Sequence, residues 1–64
     1  MKKETYLKVI QTTPTFFDFE YVRAFLSGIY AIAIEDSEIT SDDMSEICIA
    51  GDKLKESVYN REVE

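Results

Sequence analysis

The sequence predicts an all-α protein: a short N-terminal segment followed by an antiparallel helical hairpin, two copies of which pair into a helical bundle. Three observations carry that expectation. Apolar residues recur at three- and four-residue steps through Met44, Ile47, Cys48, Gly51, Leu54 and Val58, the period of one helix face. A second, wider apolar arc runs through Phe19, Val22, Leu26, Ile29 and Ala33, with Tyr21, Phe25 and Ile32 on a neighbouring face. Finally, 64 residues bring one cysteine and no histidine. Neither an internal disulfide nor a zinc site can then supplement a small core, and association is the remaining source of buried surface.

Taken in chain order, residues 5–12 (Thr-Tyr-Leu-Lys-Val-Ile-Gln-Thr) are rich in β-forming side chains, yet Tyr6, Leu7 and Ile10 also fit one side of a short helix. Pro14 suits a first helical turn, and Thr15 with Asp18 three residues on resembles a capping box, so the second element is expected to begin near Thr13-Pro14-Thr15. It continues as the broad-arced helix, with Ser27-Gly28 in its middle able to admit another backbone. The competing reading ends that helix at Gly28 and makes Ile29 to Glu35 a strand; with 5–12 as a strand too, the chain becomes a small α+β fold of order β-α-β-α.

Glu35 to Ser41 is the turn in the helical reading. A helix from about Asp42 to Tyr59 follows, with Thr40 or Ser41 as its cap and Asp42, Asp43 and Glu46 where the helix dipole favours anions. Gly51 lies on the apolar stripe of that helix, where it marks either a close crossing or a break. Tyr30 and Tyr59, whose hydroxyls need partners if buried, are expected at the edge of an interface. The whole chain reads as one domain, with 1–4 and 61–64 as frayed ends.

Composition narrows the function. At 45% hydrophobic residues the chain should fold despite a net charge of −6. That acid excess disfavours direct contact with nucleic acid or an anionic membrane. The longest apolar run, Ile29 to Ile34, falls far short of the ~20 residues that cross a bilayer. The segment from Met1 to Ile10 is too polar for a signal peptide. With a single thiol, these features point to a reducing, cytoplasmic setting.

No constellation for catalysis or for a cofactor emerges. Cys48 sits between Ile47 and Ile49 with no histidine to activate it and reads as a buried structural thiol. Oxygen-bearing residues recur through Asp36-Ser37-Glu38-Ile39-Thr40-Ser41-Asp42, as in a calcium loop, but Ser41 stands where that loop needs glycine and Ile47 where it needs glutamate. The two glycines stand apart, so no phosphate-cradling loop exists.

What remains is charge and aromatic density. No cation lies between Arg23 and Lys53, while Glu35, Asp36, Glu38, Asp42, Asp43 and Glu46 accumulate there. Phe16, Phe17, Phe19, Tyr21 and Phe25 crowd the start of the second element. The expectation is therefore a non-enzymatic interaction or regulatory module acting as a homodimer, with Phe19, Val22, Leu26, Ile29, Met44, Ile47, Leu54 and Val58 as its dimer or core interface. The alternative is an acidic inhibitor, or a mimic of nucleic acid, that docks its six carboxylates on the basic face of a partner protein.

Overall fold

The computed structural model describes residues 2–13 and 17–63. Among these the chain is all-helical, with α1 at Lys3–Gln11, α2 at Phe19–Glu35 and α3 at Ser41–Val63. The β-α-β-α alternative is excluded, and the reason lies in single residues. In α1, Tyr6 and Ile10 are one turn apart and both buried, while Lys8 is exposed. A strand would place 6, 8 and 10 on one face and drive that ammonium inward. In α2 the buried spacing Val22, Leu26, Ala33, with Ile29 half-buried between them, continues past Gly28. The helical period thus carries through the Ile-rich run.

The helix boundaries differ from the sequence reading at both ends of the pair. α2 begins at Phe19, not near Thr13, because the Asp18 carboxylate accepts the Tyr21 amide at 2.8 Å and caps the helix there. Pro14, Thr15 and Phe16 lie outside the described residues, and with Thr15 so does the first member of the expected capping box. α3 runs to Val63, so residues 61–63 are helix and not a frayed tail. Arg61 Nη2 donates to the Phe17 carbonyl at 2.6 Å, and the Phe19 amide donates to Glu62 Oε1 at 2.7 Å. The end of α3 thereby satisfies one of the orphan donors at the start of α2 and sets a carboxylate at its positive pole. Likewise, the N-terminal end is ordered from Lys3 onward. At the start of α3, Thr40 Oγ1 accepts the Asp43 amide and Asp43 Oδ2 accepts the Thr40 amide, a reciprocal cap.

α3 is the platform for the other two helices. Tyr6 and Ile10 from α1, Val22, Leu26 and Ala33 from α2, and Ile47, Leu54 and Val58 from α3 form the buried core. Of the residues expected at a dimer or core interface, Val22, Leu26, Ile47, Leu54 and Val58 are buried within one chain. Phe19, Ile29 and Met44 are half-buried against them. These side chains therefore close a core without a second copy. The resulting body measures 39 × 16 × 15 Å, its long axis set by α3. Among the described residues no helix is long and apolar enough to cross a membrane.

The two glycines play opposite parts. Gly51 is buried, and a Cβ built there would meet the Tyr30 hydroxyl and lie 2.8 Å from its Cζ, so α3 gives up a side chain to seat the α2 tyrosine. Gly28 is exposed and a Cβ there meets nothing. Alanine at 51 must displace a ring, and the depth of that clash puts its cost toward the upper end of about 1–3 kcal/mol, which the helix propensity of ~1 kcal/mol offsets only in part. Alanine at 28 is expected to stabilise by up to ~1 kcal/mol. Thermal melts of Gly51→Ala and Gly28→Ala should therefore move in opposite directions, and parallel shifts would contradict this placement.

Candidate functional site

The acidic residues gather where α2 meets α3, but several are committed to internal bonds. Asp36 ends α2 and accepts the Tyr6 hydroxyl at 2.7 Å and the Glu38 amide at 3.0 Å. Asp43 caps α3 and lies 3.8 Å from Lys3, whose ammonium also meets Glu46 at 2.7 Å. That hydrogen bond first, and then the Glu46 charge, raise the Lys3 pKa above its ordinary value. Glu35, Glu38 and Asp42 are exposed. The cation-free stretch of sequence is thus not a one-sign surface in space, because α1 folds Lys3 onto it. Sequence reasoning missed both Lys3 and Tyr6 as members of this site, and no local pattern could have found them, because their partners lie 30 or more residues away along the chain.

The aromatic group divides. Phe17 packs on Tyr21 with centroids 4.6 Å apart, and Phe19 meets Tyr59 edge-on at 5.7 Å. Tyr59 stays exposed, at an edge. Tyr30 does not: its hydroxyl is buried over Gly51 with no hydrogen-bond partner among the described residues. Burial, and then the nearby Cys48 and Asp52 charges, push the Tyr30 pKa up to about 12. Cys48 itself is half-buried, so it is less enclosed than its place between two isoleucines implies. Among the described residues no cluster of three or more Cys, Asp or Glu is arranged to hold a metal.

Among the described residues two apolar areas stand uncovered. The outward side of α2 carries no charge from Ala24 to Ile34. It presents Ala24, Ser27, Gly28 and Ala31 beside Ile32, 55% exposed, and Ile34, 71% exposed. The second area is a groove of about 530 Å³ between α1 and α3. Leu7 and Ile10 line it from α1 and Ala50 and Leu54 from α3, while Glu46 and Lys53 bring one charge of each sign. Ile49, 56% exposed, belongs to the same groove. No protein family, curated protein or solved structure matches this chain.

The tie between α1 and the α2–α3 joint makes a pH prediction. The hydrogen bond to Asp36, then burial, then the Asp36 and Glu38 charges raise the Tyr6 pKa to about 12, against about 10 for an unfolded tyrosine. A raised pKa contributes stability that is complete below the unfolded value and is lost as pH climbs through the folded one. Tyr6 and Tyr30 act in the same sense, so stability should hold to about pH 10 and fall between there and about pH 12. Helix content followed alongside tyrosinate absorbance checks this. Tyr6→Phe should lower stability at neutral pH and make the alkaline loss shallower.

Proposed function

We propose that this protein is a non-enzymatic interaction or regulatory module that works as a homodimer of α2–α3 helical hairpins, with α1 laid along each. The observation that carries the proposal is the uncovered apolar surface: a chain whose core is already closed still exposes Ile32, Ile34 and Ile49. Scattered exposed apolar residues are ordinary, but an uncharged helix side and an apolar groove on a body this small are the marks of an interaction surface. The residue inventory offers catalysis little support, since the chain has a single thiol and no histidine to activate it.

The acidic alternative rests on one favourable feature, the gathering of Glu35, Asp36, Glu38, Asp42, Asp43 and Glu46 at the joint of α2 and α3 and in the first turns of α3. Its weakness is that Asp36, Asp43 and Glu46 already serve Tyr6, the α3 cap and Lys3. An acidic end available to a basic partner is therefore the second reading, compatible with the first because it uses a different part of the surface.

Light scattering coupled to size exclusion, repeated across protein concentration, tests the main reading. The chain has a mass of 7.4 kDa, and the expected particle is twice that, dissociating on dilution. A monomer at every concentration would sink the homodimer.

A further inference from the structure

The groove between α1 and α3 has a property that the outward side of α2 lacks: its charges are self-complementary. Glu46 and Lys53 are two turns apart on α3, equally far in sequence from the junction of Ile49 and Ala50. At about 100° per residue they fall within ~20° of one another around the helix, one above the other on a single stripe. Arg23 and Glu35, the charges that bound the α2 side, are separated by ~120° around theirs and cannot share a stripe. Lys53 has no ion-pair partner among the described residues. Glu46, though paired with Lys3, keeps its side chain 53% exposed and can take a second cation.

From this geometry we infer that the groove is the seam of the homodimer, with the α3 helices of two copies crossing antiparallel about the Ile49–Ala50 junction. The inference rests on the homodimer reading above and names its surface. A two-fold pairing is isologous, so each contact occurs twice. Centred on this junction, it sets Glu46 of one copy against Lys53 of the other, and Lys53 against Glu46. It also brings Ile49 over the second copy's Ala50. Ala50 is a small residue in a lining that also holds Leu7 and Leu54, and in this pairing the exposed isoleucine of each copy enters the opening of the other. Farther out, Ser57 at the groove's end meets Asp42, an exposed carboxylate that can accept its hydroxyl. Apolar contact holds the centre, and the reciprocal charges fix direction and register. A parallel pairing in register would set Glu46 on Glu46 and Lys53 on Lys53, which like-charge repulsion disfavours. The outward side of α2 stays free in this dimer.

A charge-exchange experiment tests the seam. Lys53→Glu alone sets glutamates against each other, and Glu46→Lys alone sets lysines against each other. Each variant is expected to weaken self-association about tenfold or more, measured by sedimentation equilibrium. Lys53 is exposed and outside every ion pair among the described residues, so circular dichroism should show Lys53→Glu as helical as the parent. Glu46→Lys also breaks the internal pair with Lys3, so its effect on the seam is read from the mixing experiment. Mixing the two variants in equal amounts restores both pairs, and a heterodimer as tight as the parent dimer is expected only on mixing. Two outcomes overturn the inference and are distinguishable. A parent chain that is monomeric throughout removes the homodimer and its seam together. A parent dimer that neither substitution weakens, or that mixing does not restore, removes the seam alone; loss of that dimer on Ile32→Glu would then move the interface to α2.

Discussion

Everything in this fold depends on one helix serving two neighbours. A 64-residue chain without a disulfide has few ways to bury enough apolar surface, and here α3 supplies the solution. Its stripe of Ile47, Gly51, Leu54 and Val58 faces inward along most of its length, receiving Tyr6 and Ile10 from α1 and Val22, Leu26 and Ala33 from α2. Gly51 sets how closely α2 can lie, because the Tyr30 ring occupies the space a side chain would fill. Shape complementarity of this kind contributes at both levels, in dispersion contacts and in the uniqueness of the packed state. One cost is visible, since the ring carries its hydroxyl into a place where no described residue bonds it.

The ends of the helices are tied by a different class of interaction. Polar bonds across long sequence separations close the two ends of the body: Tyr6 to Asp36 and Lys3 to Glu46 at one, Arg61 and Glu62 to the backbone before and at the start of α2 at the other. The exposed ones each add only modestly to stability and the Tyr6–Asp36 bond is part-buried; together they orient α1 and fix the register of α2 along α3. They also explain why the six carboxylates, so conspicuous as a cluster in the sequence, are not six free charges. An anion that caps a helix or holds a tyrosine is a structural part before it is a binding group.

The helical class and the inward stripe of α3 were legible because period is a local property: Met44, Ile47, Gly51, Leu54 and Val58 spell it without knowledge of the fold. The cap was legible only as Thr40 or Ser41, and Gly51 only as a close crossing or a break; the fold decides for Thr40 and for the crossing. Residues 5–12 could not be assigned, because β-forming side chains and a Tyr6–Ile10 helical spacing coexist there, and only burial against α3 decides between them. The start of α2 falls later than the sequence places it because Asp18, read as the far member of a Thr15 capping box, is itself the cap, and its carboxylate fixes the boundary at Phe19. Most of the large apolar residues assigned to a dimer or core interface turned out to be a core within one chain, since pattern shows which face is apolar but not what covers it. The candidate surfaces were the least legible: the groove exists only once α1 docks, and no feature of residues 2–13 specifies that α3 is its neighbour.

The central claim is that the core closes within one chain and that association is an event at its surface. Native-state hydrogen exchange, run at concentrations where the chain sediments as a monomer, tests this most directly. The account predicts that the slowest amides in the monomer cluster along α3 from Ile47 to Val58 and along α2 from Val22 to Ala33, around the seat of Tyr30 on Gly51. Rapid exchange throughout both helices in the monomer, with protection appearing only as copies associate, would contradict it.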